Sequence, residues 1–160
     1  MALYYLETSA LVKLYVKEPG TERLLRLAAR TNNHRFAVLT LARVEMHSAI
    51  RRRQREGDID GSVADRLLSQ FEQHLESRFI KQVLNDSLID LATSLVSRRA
   101  LRAYDAVQLA GCLILRDNSS SDEPNFVCSD QRLLQAAEEE ALTCFDPASG
   151  YSTQTIPNAG

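Results

Sequence analysis

The sequence predicts an α/β protein with a mostly parallel central sheet covered by helices on both faces. Two observations predict it: short apolar runs alternate with longer stretches of helical periodicity, and 160 residues without an internal repeat or a domain-separating linker suit one domain with a proper core.

The elements follow in order along the chain. Residues 3–6 (LYYL) read as the first strand, and Ser9 as the cap of a helix that runs to about residue 16. Pro19-Gly20 breaks the chain before a helix over 21–30. A strand over 35–39 leads to a helix from about 41 to 55. Gly57 and Gly61 end it, and an amphipathic helix follows over 62–74. A strand over 79–83 precedes two helices, 86–98 and 105–116. The polar segment 117–125 (DNSSSDEPN) reads as a loop. A strand over 126–128, a helix over 130–140 and a short strand over 143–145 complete the pattern. The expected domain spans 1–147. Residues 148–160, rich in Ser, Thr, Gly and Asn, are expected to form a disordered C-terminal tail.

Composition excludes several classes of function. Nineteen basic residues against 21 acidic ones give a net charge of −2, so no global field attracts a polyanion, and any nucleic-acid contact must use a local patch or a metal. Cys112, Cys128 and Cys144 lack a CxxC or Cys/His pattern and read as buried small hydrophobes in a reducing compartment. The N-terminus has no basic segment, and Glu7 interrupts its apolar run. The longest apolar stretch, 106–115, contains Gln108 and is too short to span a bilayer. A cytoplasmic protein with no membrane association is expected.

In parallel sheets ligands bind outside the carboxyl ends of the strands. Four acids fall there: Glu7 after the first strand, Glu45 early in the helix after the second, Asp105 at the start of the apolar helix, and Asp130 after the strand over 126–128. Each has an ordinary alternative. Asp105 fits a capping box with Gln108, Asp130 suits a helix dipole with Ser129 as the cap, Glu45 can be solvated, and Glu7 can be a surface residue at a strand end. Together the alternatives weaken. The helix AVQLAGCLIL is apolar nearly all round and must be buried, and the apolar stripe Ala42, Met46, Ala49, Ile50 aims Glu45 at the body of the protein. Carboxylates crowded in this way repel one another unless a hard cation joins them.

The stretches that carry these acids, "YYLETSALVKLYVKEPG", "LARVEMHSAI", "LRAYDAVQLA" and "VCSDQRLLQAAEEEAL", resemble in order and spacing the four motifs of the PIN-domain ribonucleases, in particular the VapC-type toxins of prokaryotic toxin–antitoxin pairs. The resemblance covers about residues 3–147. It implies a PIN-like three-layer α/β/α sandwich and metal-dependent hydrolysis of RNA, with Mg²⁺ or Mn²⁺ held by the acidic cluster. It places Glu7, Glu45, Asp105 and Asp130 at the four catalytic positions and Ser9 at a small hydroxyl position beside the site. It also implies a cognate antitoxin that inserts peptide near the site, and a homodimer. Two positions depart from the pattern: Glu7 stands where the family normally has Asp, and Gln108 where it often has His. The extra methylene of Glu7 is expected to attenuate activity.

Within that reading Glu7 and Asp105 are expected as direct metal ligands, while Glu45 and Asp130 act through water or position the nucleophile. Phosphate contacts are expected from Arg102, with Arg98, Arg99 and the run Arg51–Arg52–Arg53–Gln54–Arg55 as further candidates. His34, His47 and His74 show no metal-ligand spacing. An aspartyl phosphatase would need a DxD pair where this chain has Glu7-Thr8-Ser9. The competing reading is a PIN-fold module, catalytically weak or inactive, that binds RNA or protein.

Overall fold

The computed structural model describes residues 2–30 and 33–153. Its strands are β1 (Ala2–Leu6), β2 (His34–Leu39), β3 (Phe79–Gln82), β4 (Pro124–Val127) and β5 (Thr143–Phe145). They form one sheet in the order β3-β2-β1-β4-β5, and every pairing is parallel. The predicted α/β class and three-layer sandwich hold, with the sheet wholly parallel.

The helices are α1 (Thr8–Leu11, continued by a 3-10 turn Val12–Leu14), α2 (Thr21–Ala28), α3 (Ala42–Glu56), α4 (Gly61–Ser77), α5 (Asp86–Arg99), α6 (Ala103–Asn118) and α7 (Gln131–Glu139). Strand side chains alternate between faces, and two cores result. Tyr4, Leu6, Phe36 and Val38 pack under α1 to α4, whereas Leu3, Tyr5, Ala37, Leu39 and Phe126 pack under α5 to α7. Burying one such large side chain contributes about 1.5–3 kcal/mol, so both layers are firmly seated. The chain winds outward from β1 to β3, then returns past β1 to β4. The strand order therefore reverses between β1 and β4, which makes their carboxyl ends a switch-point crevice.

Several boundaries differ from the sequence reading, for local reasons. The first helix begins at Thr8, and Glu7 rather than Ser9 is its cap: the Glu7 carboxylate accepts from Ser9 N at 2.8 Å. The apolar helix begins at Ala103, two residues before Asp105. Asp105 is thus inside the first turn of α6 and is not a cap. Asp130, and not Ser129, caps α7 by accepting from the backbone N–H groups of Arg132 and Leu133. β4 starts at Pro124, where a missing N–H costs little, and absorbs the end of the expected loop.

Gly111 sets how closely α6 approaches the sheet. A Cβ there would lie 2.4 Å from the Tyr5 hydroxyl, so only glycine lets α6 seat at this depth. Part of the expected tail is bound to the domain. Ser152 bridges antiparallel to Phe145, and Arg23 donates to the carbonyls of Pro147 and Ala148 at 2.9 and 3.0 Å. The rest of that expected tail, 154–160, lies outside the described residues. Among the described residues no helix is long and apolar enough to cross a membrane. All three cysteines are buried free thiols.

Candidate functional site

The crevice is assembled from the ends of β1 and β4 and from α3 and α6. Ser9, in the first turn of α1, accepts from Ser129 N at 2.9 Å through its hydroxyl. Glu7 N in turn donates to the carbonyl of Val127 at 3.0 Å. These two bonds stitch the diverging chains together just beyond the sheet. Ser9, expected as a small hydroxyl residue beside the site, braces the two segments here through its hydroxyl.

Glu7 is 7% exposed. Burial raises its pKa, the bonds from Ser9 oppose that rise, and the nearby Glu45 adds to it. Half-buried Glu45 is raised by the same causes: burial first, opposed by hydrogen bonds from Gln108 and Thr8, and reinforced by the charge of Asp105. Gln108, 1% exposed, organises this inner pair. Its amide nitrogen donates to Glu45 Oε1 at 2.8 Å and to Thr8 Oγ1 at 3.0 Å, and its oxygen accepts from the Tyr5 hydroxyl at 3.2 Å. Every bond in this chain runs between buried or half-buried groups, so the position of the Glu45 carboxylate is well determined.

The outer pair is built differently. Arg102 precedes α6, and its side chain is 78% exposed. The guanidinium donates to Asp105 Oδ2 at 3.0 Å and reaches Asp130 Oδ2 at 3.5 Å. The expected phosphate contact therefore spans two of the four acids. Arg98 and Arg99 do not approach the crevice, since both pair with Glu140 and Arg99 also with Glu139.

The structure brings Glu45, Asp105 and Thr8 to the wall of one open groove of about 510 Å³ between α3 and α6, with Arg102 at its rim. Glu7 lies deeper, and Asp130 joins through Arg102. Among the described residues, no three His, Cys, Asp or Glu side chains gather closely enough to hold a metal ion. The reason is visible: Glu7 is turned onto Ser9 N, and Asp105 and Asp130 are occupied by a guanidinium. As donors the four still suit a hard cation, being carboxylate oxygens. The mutual repulsion of Glu7, Glu45 and Asp105 is what such a charge relieves.

Four further residues were not anticipated as parts of the site. Gln108 is legible as the lone polar residue in the apolar run 106–115, and Thr8 only from its neighbours. Asp146, just past β5, is 1% exposed and accepts from Ser129 Oγ, Gln131 Nε2, Ala148 N and Ser149 Oγ. Burial alone would raise its carboxyl, but these bonds hold it below the usual range. The strand-end rule that found Glu7 also applies to Asp146. Lys13, 6% exposed, pairs with Glu18 at 3.0 Å and feels the negative charges of Asp146 and Glu7. The histidines stand apart from the acids: His47 pairs with Glu72, His74 bonds Tyr15, and His34 packs edge-on to Tyr4.

No protein-family model matches the chain, and no curated protein does. Solved structures do match it. FitAB bound to an IR36 DNA fragment aligns over 100% of both chains with a TM-score of 0.64 at 13% identity. PAE2754 from Pyrobaculum aerophilum aligns at 0.60 and 21% identity, over 92% of this chain and 91% of that one. VapBC2 from Rickettsia felis, bound to a DNA fragment from their promoter, aligns at 0.60 and 12% identity, over 90% and 98%. At these identities the likeness establishes the fold.

Proposed function

We propose that the chain is a metal-dependent ribonuclease of the PIN type and the toxin partner of a toxin–antitoxin pair, acting in the cytoplasm. The observation that carries this reading is the convergence of acids from four separate chain segments on the switch-point crevice, where burial and mutual repulsion raise Glu7 and Glu45. The likeness to the VapBC2 and FitAB complexes supports a protein partner of the antitoxin kind. A homodimer of a domain over 1–147 belongs to the same proposal.

Glu7 and Asp105 would hold Mg²⁺ or Mn²⁺, with Glu45 and Asp130 arranged around them. When bound, such a cation acidifies a water and offsets charge on the phosphate and the leaving oxygen. The chain's own residues do the rest. Gln108 and Thr8 fix Glu45 so that its carboxylate can orient and deprotonate the attacking water. Asp130, held at the head of α7 by the backbone N–H groups of Arg132 and Leu133, meets the crevice through Arg102. Arg102, exposed and long, can leave the acids and take a phosphate oxygen of the RNA in a two-pronged contact. The apolar layers beneath the crevice close it to water from behind.

The test is incubation of the purified chain with a mixed RNA substrate in Mg²⁺ or Mn²⁺, with EDTA and Asp105→Asn as controls. Cleavage abolished by both is expected. Intact RNA in either cation, together with measurable RNA or protein binding, would instead identify the non-cutting module. That second reading is favoured by one observation, the absence of a gathered three-carboxylate group among the described residues.

A further inference from the structure

We propose that the groove between α3 and α6 seats one unpaired nucleotide of the RNA, with its base stacked on Tyr104 and an adjacent phosphate held by Arg52. This deepens the ribonuclease reading and rests on it.

The groove of about 510 Å³ lies in the range of small-ligand sites, roughly 300–1,000 Å³, and it opens directly onto Glu45 and Asp105. Its walls carry two large side chains that the fold leaves in water, Tyr104 at 64% exposure and Val44 at 66%. Tyr104 is fixed by the first turn of α6, one residue before Asp105, so its ring cannot drift far from the carboxylates. An exposed aromatic on a rigid helix is a base platform, because every base offers a π-face.

The α3 arginines sort themselves by partner. Arg51 is spent on Asp65 and Gln54, Arg53 on Glu18, and Arg43 on Glu72. Arg52 and Arg55 are exposed and have no ion pair among the described residues, and of the two only Arg52 lines the groove. A cation held next to carboxylates yet left unpaired suits an anionic occupant, and phosphate contacts of this kind position a nucleic acid without reading sequence. An intact duplex keeps its bases stacked on one another and offers none to Tyr104. The occupant is therefore single-stranded.

The test is fluorescence anisotropy of a labelled 12-nucleotide single-stranded RNA with the full chain in EDTA, where hydrolysis is off. Tyr104→Ala should bind about 5- to 100-fold more weakly, and Tyr104→Trp should retain affinity. Arg52→Gln should weaken binding across sequences and lower the salt slope by about one. Arg26→Gln, an exposed cation on α2, serves as the control and should bind as the parent does. A duplex of the same sequence should compete at least about tenfold less well. Tyr104→Ala and Arg52→Gln binding as the control does, or a duplex competing equally, would overturn the proposal. Unchanged melting temperatures keep misfolding out of the comparison. Failure of the two readings is separable. RNA binding lost in Tyr104→Ala without Mg²⁺-dependent cleavage by the parent defeats the ribonuclease and keeps the subsite. Cleavage by the parent with both variants binding normally does the reverse.

Discussion

Glu7 and Glu45 are held by neutral donors in the interior, whereas Asp105 and Asp130 share one exposed cation, Arg102. The inner pair is rigid but electrostatically uncomfortable, since burial and repulsion both favour the protonated forms. The outer pair is comfortable but loosely held, because an exposed ion pair contributes only about 0–1 kcal/mol. The difference teaches how one crevice combines fixed geometry with exchange: the inner carboxylates define position, and the outer ones can trade a guanidinium for another cation or release it to a phosphate.

The largest expected effect comes from removing an inner charge. Glu7→Gln keeps length and loses charge, and RNA cleavage in Mg²⁺ should fall by roughly 100-fold or more. Glu7→Asp should raise cleavage above the parent, because Mg²⁺ at about 2.0–2.1 Å tolerates displaced ligands poorly. A Glu7→Gln enzyme that cleaves normally would separate Glu7 from the chemistry altogether.

Gln108→Ala removes the brace and leaves the Tyr5 hydroxyl and Glu45 without their partner. A stability loss of about 1–3 kcal/mol is expected by denaturant titration, with cleavage reduced by about 10- to 100-fold. Loss of stability without loss of activity would reduce Gln108 to a packing residue.

The inner pair should also write itself into the pH dependence of stability. Both carboxyls have raised folded pKa values, so folding takes up protons above the ordinary value of 4.5. That contribution is fully present below pH 4.5 and is lost as pH rises through the raised values. In EDTA the melting temperature should therefore fall as pH climbs from about 4.5 toward neutrality. Mg²⁺ or Glu7→Gln should flatten the slope. Asp146, with its lowered pKa, works in the opposite sense and at lower pH. A slope identical in parent and Glu7→Gln would mean that the inner pair is not the source.

The smallest effect on the cation-free protein belongs to Arg102→Ala, with a stability change under about 1 kcal/mol. Its consequence should appear on adding Mn²⁺, as a larger melting-temperature increment than in the parent, because the ion no longer competes with the guanidinium. Asp105→Asn should erase most of the increment. Equal increments in parent and Arg102→Ala would show that the outer pair is not contested.

The sequence by itself determined the order of strands and helices, the parallel sheet and the four acids. Apolar runs and helical periodicity are local patterns, and topology carries strand-end residues to one edge. Strand-end logic would have extended to Asp146 as well. What only the tertiary structure decided was partnership. Whether Glu7 caps α1, whether Gln108 braces Glu45, and which of the five α3 arginines find an ion-pair partner depend on residues as far as 63 positions apart. Gly111 shows the reason. Its missing Cβ sets the depth at which α6 meets β1, and that depth lets Gln108 reach both Tyr5 and Glu45. Close packing between layers is a property of the assembled fold and is written in no single segment.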